Sequence, residues 1–227
     1  GIDKRREMPK FSEITFIQWY KSRNSHLEQP MGEVILFPDT FTNYNHPEIG
    51  KSAVKLLEAL GYEVKIPDVK CCGRPMLSSG MMDKAKKHVQ YNIKSLYTHV
   101  SQGKKLIGLE PSCILGFLDD FNDLVDEETR EMGLLIAKNT MLIEEFVLFA
   151  IGNGSTINFK NPPETIAFHG HCHQKAMIGT DPALKTLQLL PGTEISEINS
   201  GCCGMAGSFG FEKEHFDISN QIGEREL

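Results

Sequence analysis

The sequence YEVKIPDVKCCGRPM, residues 62–76, joins a short run that favours a strand to two adjacent cysteines and a glycine. The same order returns in TEISEINSGCCG, residues 193–204. Valine, isoleucine and tyrosine are typical of strands, so each segment predicts a strand that leads into a pair of thiols on a glycine turn. Because the arrangement occurs twice, the sequence indicates an internal duplication.

Strands alternate with helices around both cysteine pairs. EVILF, residues 33–37, predicts a strand buried on both faces, and Pro47 begins a helix that ends at Gly61. In the second part, TIAFHGHCH (residues 165–173) predicts a strand that ends in ligand-type residues, and DPALKTLQLL (residues 181–190) predicts a helix. The alternation predicts an α/β fold of two pseudo-repeated, mostly parallel halves, with the cysteine motifs at the C-terminal ends of strands.

The first half contains further elements. Apolar residues at helical spacing predict a helix across residues 82–97, followed by a strand that ends at Glu110. Ser112 is the expected N-cap of the next helix. Two more helices, expected over residues 127–138 and 141–151, complete this half.

A stretch rich in Gly, Asn and Pro, GNGSTINFKNPPE, separates the halves at residues 152–164. We therefore expect an N-terminal arm or linker over residues 1–30, a first repeat over residues 31–152 and a second repeat over residues 164–227. The second repeat has no counterpart of LIGLEPSC before the sequence stops, so we expect it to be truncated at its C-terminal end.

Each half adds a third cysteine to its adjacent pair. Cys172 lies 30 residues before Cys202, and Cys113 follows the first pair at a strand-to-helix junction. Thr40 stands in the first half where Cys172 stands in the second. Soft thiolates suit zinc, Cu(I) or iron in a sulfide cluster, and imidazole suits zinc or iron. The cofactor-binding candidates are Cys71, Cys72, Cys113, Cys172, Cys202 and Cys203, and the metal-binding set is Cys172, Cys202, Cys203, His171 and His173.

Other interpretations of these residues stay open. A free cysteine is commonly a buried small hydrophobe. His169, His171 and His173 alternate along an extended chain and so share one side, and each is more typical of a residue that supports a ligand than of a ligand itself. Cys113, at a helix N-terminus near Glu110, is also a candidate catalytic nucleophile.

Composition and charge exclude several classes of protein. The net charge is −6, and the sequence has no basic stripe of the kind that binds nucleic acid. No apolar run approaches the roughly 18 residues of a membrane span, and the N-terminus lacks the apolar run of a signal peptide. We expect no nucleic-acid partner and a cytoplasmic location, with peripheral association of the full protein at the inner face of the membrane as an alternative.

Four motifs together resemble a known family. CCGRPM, EPSC, HGHCHQ and GCCGMAGSFG are similar, in the same order, to motifs of the cysteine-rich CCG domain. That domain occurs in heterodisulfide reductase, in the iron-sulfur subunits of glycolate oxidase and anaerobic glycerol-3-phosphate dehydrogenase, and in lactate-utilisation proteins. The resemblance covers residues 33–227. The opening segment further resembles the region that follows the ferredoxin-like domain in fused, FAD-linked D-lactate or glycolate dehydrogenases.

The resemblance implies a function for the chain. It would be the C-terminal part of such an oxidoreductase, with no complete active site of its own. It would bind an iron-sulfur cluster of the 4Fe-4S type, with zinc as the alternative metal, and pass electrons from FAD towards a quinone or another carrier. FAD would be held upstream, so the implied partners are the FAD-binding and ferredoxin-like domains of the same polypeptide. A zinc-binding or metal-free module that docks the flavin domain is the alternative.

The resemblance also implies a ligand set for each repeat. In the family, a leading cysteine, the CCG pair and a later cysteine act together. Carried over, the second repeat offers Cys172, Cys202 and Cys203, with its last ligand beyond Leu227. In the first repeat, Thr40 replaces the leading cysteine, so its ligand set is incomplete.

Overall fold

The computed structural model describes residues 1–24 and 26–225. The chain divides into two compact units. The first unit comprises Phe11–Asn158, and the second comprises Gly1–Lys10 together with Phe159–Leu227. Each unit contains parallel strands, helices and one of the two cysteine pairs.

A parallel sheet forms the centre of the first unit. In the part of the chain that the structure describes, its four strands lie in the order β2-β1-β3-β4. Their bounds are β1 Gly32–Leu36, β2 Tyr62–Lys65, β3 Lys105–Gly108 and β4 Thr140–Leu142. Val34 pairs with Val64 and Ile35 with Leu106, and all four are at most 1% exposed. The inner strands are therefore buried on both faces, as expected for a parallel sheet covered by helices.

Eight α-helices of the described residues belong to this unit. They are α1 Phe16–Lys21, α2 Thr40–Tyr44, α3 Pro47–Ala59, α4 Arg74–Ser78, α5 Met82–Val100, α6 Pro111–Ile114, α7 Glu127–Asn139 and α8 Ile143–Gly152. The predicted helix from Pro47 is confirmed, and Gly61 follows its end with a φ of 91°. In α5, Val89, Ile93 and Leu96 are fully buried at helical spacing, which confirms that helix as well.

One prediction about the first unit is wrong, and one predicted helix is confirmed with a later start. Ser112 does not cap the helix after β3, because Glu110 does: its carboxylate accepts the amide of Cys113 at 2.6 Å, and Ser112 donates its hydroxyl to the same carboxylate at 2.8 Å. A carboxylate is the stronger acceptor for these donors. The helix predicted roughly over residues 141–151 is confirmed as α8, Ile143–Gly152, and begins two residues later, since Met141 lies in β4 and pairs with Ile107. Pairing with a neighbouring strand overrides the local helical pattern there.

The second unit repeats the opening of the first. Its strands β5 Thr165–Phe168 and β6 Glu194–Glu197 pair in parallel, and its helices are α9 Cys172–Met177, α10 Asp181–Leu187 and α11 Phe216–Gly223. The prediction of an extended chain through His173 is wrong, because β5 ends at Phe168 and α9 begins at Cys172. Strand, helix and strand precede the cysteine pair in both units, which confirms the predicted α/β fold of two halves.

Among the described residues, no helix combines the length and the apolar character needed to span a bilayer.

Candidate cofactor site

The first cysteine pair is held in place by α5. Asn92 is fully buried, and its side-chain oxygen accepts the amide of Lys70 at 2.8 Å. Its amide nitrogen donates to the carbonyls of Lys70 and Cys71 at 3.1 and 3.3 Å. His88 adds a contact of 3.2 Å between Nδ1 and the Cys71 carbonyl. The side chains of Asn92 and His88 thus stabilise the loop that carries the cysteine pair.

Three thiols of the first unit meet where three parallel strands end. Cys71 and Cys72 follow β2, and Cys113 lies in the helix after β3. The sulfurs of Cys72 and Cys113 are 3.2 Å apart, and both residues are buried. Cys71 hydrogen-bonds to Cys72, and Thr40, which follows β1, hydrogen-bonds to Cys71. Since the C-terminal ends of parallel strands share one edge of a sheet, Thr40 lies beside the three thiols.

The net effect of the hydrogen bonds, burial and nearby carboxylates is to raise the pKa of every thiol in the first unit. The hydrogen bond to Cys72 and then burial raise the pKa of Cys71, and the hydrogen bond to Cys113 followed by burial raises that of Cys72. The hydrogen bond from Cys72 lowers the pKa of Cys113, but burial and the Glu110 and Asp39 carboxylates outweigh it. The three groups are therefore neutral thiols at pH 7 when no metal is bound.

Asp39, and the capping role of Glu110, are features of this site that the sequence reasoning missed. Asp39 caps α2 by accepting the Thr42 amide at 2.9 Å, and it is 2% exposed. Its second carboxylate oxygen has no hydrogen-bond partner among the described residues, and burial raises its pKa. The sequence contained a signal for the role of Asp39, because an aspartate between a strand and the first turn of a helix is a typical N-cap.

Cys172 occupies in the second unit the position that Thr40 occupies in the first. Each is the first residue of a helix and the fourth residue after the end of the unit's first strand. His171 caps α9, and its Nδ1 accepts the amide of His173 at 3.1 Å. His171 therefore orients Cys172 through the helix start, which sequence reasoning had not predicted.

The second cysteine pair lies on a turn that requires glycine. Gly204 has a φ of 78°, a conformation that side chains other than glycine rarely adopt. A Cβ atom there would lie 2.0 Å from the carbonyl oxygen of Ser219 in α11. The Gly204 amide donates to the sulfur of Cys202 at 3.3 Å, and Lys175 holds the loop by donating to the Ser200 carbonyl at 2.7 Å.

The two CCG turns are alike in how this amide is placed. In the first unit the amide of Gly73, with a φ of 100°, faces the sulfur of Cys71 and favours its charged form. In both units the glycine after the pair thus presents its amide to the first cysteine. Cys202 also borders a cavity of about 220 Å³ that includes Ile222 and Arg225.

The predicted ligand residues are not equally close to one another in the structure. Cys71, Cys72 and Cys113 form one connected group. Cys172, Cys202 and Cys203 are all exposed. The rings of His171 and His173 are 6.4 Å apart. Within residues 1–24 and 26–225, no three His, Cys, Asp or Glu side chains converge as ligands of a single metal ion.

These features define an α/β protein with duplicated CCG turns, in which the first strand of each unit is followed by a helix that begins at Thr40 or Cys172. A model of the cysteine-rich domain family, CCG, matches residues 38–117 and 166–227. The chain therefore belongs to the cysteine-rich CCG domain family, and the resemblance found in the sequence is confirmed.

Curated proteins of several kinds are similar to this chain. One subunit of the anaerobic glycerol-3-phosphate dehydrogenase of Escherichia coli strain K12 is 33% identical over 224 residues, which cover 98% of this chain and 56% of that protein. Lactate utilization protein A of Oceanobacillus iheyensis is 27% identical over 199 residues, covering 84% and 77%. D-2-hydroxyglutarate dehydrogenase of Escherichia coli strain K12 is 24% identical over 201 residues, covering 88% and 19%. The chain thus spans about half the length of the glycerol-3-phosphate dehydrogenase subunit.

Proposed function

We propose that this chain is the electron-transfer module of an FAD- and iron-sulfur-dependent 2-hydroxy acid dehydrogenase or oxidase. The observation that carries the proposal is the duplicated CCG turn, in which the glycine amide faces the sulfur of the first cysteine. Such hydrogen bonds favour the charged, metal-bound form of a sulfur and tune the reduction potential of iron-sulfur sites. Thiols on turns of this kind therefore fit an iron-sulfur cluster as ligands.

The second unit supplies the working set in this proposal. Cys172, Cys202 and Cys203 would hold the cluster, with His171 and His173 as further candidates. A bound cluster of this kind accepts and releases single electrons. The chain's own part is to orient the ligands: the helix start fixes Cys172, and the Gly204 amide directs the sulfur of Cys202. All three thiols are exposed, which leaves room for a cofactor and for the approach of an electron carrier.

The first unit is proposed as a second cofactor site, with Cys71, Cys72 and Cys113 as its ligands. Its thiols hold their protons when no metal is bound, so metal binding would release protons. The burial of Cys72 and Cys113 favours the alternative for this unit, a structural role with zinc or with no metal, in which the unit docks a flavin domain.

The relatives support the oxidoreductase part of the proposal. Two of them are named as dehydrogenases of glycerol 3-phosphate and D-2-hydroxyglutarate, and a third as a lactate utilization protein. Each of these substrates carries a hydroxyl group, and oxidising it to a carbonyl releases two electrons. We propose that FAD in an upstream domain takes these electrons and that the chain passes them on to a quinone or another carrier. A cytoplasmic location fits this role.

Anaerobic reconstitution with ferrous iron and sulfide tests the proposal. We expect Cys202→Ser and Cys172→Ser each to remove the same share of the bound iron, and the double variant to remove no more than either alone, because both thiols serve one site. Cys72→Ser should remove a separate and additive share if the first unit also binds a cluster. The readouts are iron, acid-labile sulfide and the visible absorbance band.

Ser200→Ala is the matched control, since it changes the same loop without touching a thiol. It should retain the iron content of the wild type. A colourless wild-type protein that binds no iron contradicts the proposal. Stoichiometric zinc with no redox response would favour the structural alternative.

A further inference from the structure

The first six residues pack against the part of the second unit that follows the cysteine pair. Ile2 forms an antiparallel bridge with Glu212, the Asp3 amide donates to the carbonyl of Phe211 at 2.8 Å, and the backbone amide of Lys213 donates to the Gly1 carbonyl at 2.8 Å. Asp3 is 6% exposed. We call residues 1–6 the N-terminal strap, and these contacts fix its register along the chain segment before α11.

Arg6 is the residue of the strap that reaches the cysteine-bearing turn. Its Nε donates to the Gly210 carbonyl at 2.7 Å, and its terminal nitrogen Nη2 donates to Ser219 Oγ and Asn220 Oδ1, both at 2.9 Å. Its guanidinium also lies over the Phe216 ring, 4.7 Å from the centroid. Arg6 therefore ties the far end of the glycine-rich turn to α11.

Ser219 continues this connection to the cysteine pair. It is 1% exposed, accepts from Arg6, and donates its hydroxyl to the carbonyl of Gly204 at 2.8 Å. Gly204 in turn donates its amide to the sulfur of Cys202 at 3.3 Å. Three hydrogen bonds thus run in sequence from the Arg6 guanidinium to the Cys202 sulfur. Because a buried, fully satisfied hydroxyl has few alternative positions, the connection fixes where the turn lies.

We propose that Arg6 is a positioning residue for the CCG turn of the second unit, acting through Ser219 and Gly204 on the sulfur of Cys202. The inference rests on the proposed function insofar as that sulfur is a cofactor ligand. The strap would then belong to the electron-transfer site, even though it is separated from the cysteine pair by almost the whole length of the chain.

Arg5 provides a matched control. Its guanidinium lies over the same Phe216 ring, 3.6 Å from the centroid, and it carries the same charge as Arg6. Its hydrogen bonds go to Asp3 and Asp217 at 2.9 Å, rather than to the turn. Loss of either arginine removes one guanidinium from the same aromatic ring, but only the loss of Arg6 breaks the connection to Gly204.

The first measurement is amide hydrogen exchange of the metal-free full chain. We expect Arg6→Ala to speed exchange across residues 204–210 by about tenfold, the factor that corresponds to loss of a hydrogen bond to a charged group. Ser219→Ala should have a similar effect, and it also tests the inference if Arg6→Ala fails to fold. Arg5→Ala should leave exchange in the turn unchanged.

The second measurement is the midpoint potential of the reconstituted protein. We expect Arg6→Ala to shift the potential, because the hydrogen bond to the Cys202 sulfur is no longer held in place, and Arg6→Lys to restore only part of the shift. If the wild type binds no iron, the proposed function fails while the exchange experiment still decides the role of Arg6. Unchanged exchange in Arg6→Ala, or an equal change in Arg5→Ala, would overturn the inference, as would a reconstituted Arg6→Ala protein with the wild-type potential.

Discussion

Gly204→Ala is expected to destabilise the second unit more than any other single methyl group added to its turn. The residue combines a left-handed backbone with contact against α11, where a Cβ would lie 2.0 Å from the Ser219 carbonyl oxygen and 3.2 Å from the Gly223 nitrogen. The backbone strain costs about 1–3 kcal/mol, and overpacking adds about 1–3 kcal/mol. We expect a total loss of roughly 2–6 kcal/mol, together with displacement of Cys202 and Cys203.

Gly207→Ala separates the two causes. Gly207 also has a left-handed backbone, with a φ of 67°, but nothing lies within 4 Å of the position that its Cβ would take. Only the backbone strain of about 1–3 kcal/mol applies there. Hydrogen exchange of β5, β6 and α11 measures the stability of the second unit directly. Equal destabilisation by the two variants would contradict the packing of the turn against α11.

Asn92→Ala is expected to have the largest effect in the first unit. The side chain is fully buried and makes three hydrogen bonds to the backbone of Lys70 and Cys71. Truncation leaves one amide and two carbonyls to find new partners, at roughly 1–3 kcal/mol for each group left unsatisfied. We expect a loss of about 3 kcal/mol in the free energy of unfolding, and faster alkylation of Cys72 as the loop moves.

Trp19 lies in the first unit and is the one tryptophan of the chain, so its fluorescence during urea unfolding reports this unit. Lys94→Ala is the control, because it truncates an exposed residue of the same helix. Asn92→Asp keeps an acceptor for the Lys70 amide while removing both donors, and it should fall between the wild type and Asn92→Ala. If Asn92→Ala unfolds at the same urea concentration as Lys94→Ala, Asn92 does not hold the cysteine loop.

Local patterns in the sequence were enough to predict the repeated architecture. The β-branched run at residues 33–37 reflects burial of a strand, and the spacing of Val89, Ile93 and Leu96 reflects burial of one helix face. Both patterns can be read from consecutive residues of the sequence. The equivalence of Thr40 and Cys172 was also visible, because the distance to the next cysteine pair is nearly the same in the two halves, 31 residues from Thr40 to Cys71 and 30 from Cys172 to Cys202.

The residues that support the thiols were not visible in this way. Asn92 and His88 act on Cys71 from a separate helix, α5, and Arg6 acts on Gly204 from the opposite end of the sequence. Such contacts depend on tertiary packing rather than on local periodicity. The N-cap roles of Glu110 and His171 were missed for a different reason. Ser112 is a typical N-cap residue itself, and the residues around His171 fitted an extended strand equally well.

The central claim is that the cysteines of the CCG turns hold an iron-sulfur cluster. The most direct test is the content of iron and acid-labile sulfide per chain after anaerobic reconstitution, combined with the electron paramagnetic resonance spectrum of the reduced protein. We predict iron and sulfide in equal amounts, and a cluster signal whose second-unit share Cys202→Ser removes and Ser200→Ala preserves. Any signal left in Cys202→Ser should belong to the first unit and be removed by Cys72→Ser as well. Iron without sulfide, or a signal unchanged in Cys202→Ser, would contradict the proposed role of the CCG turn.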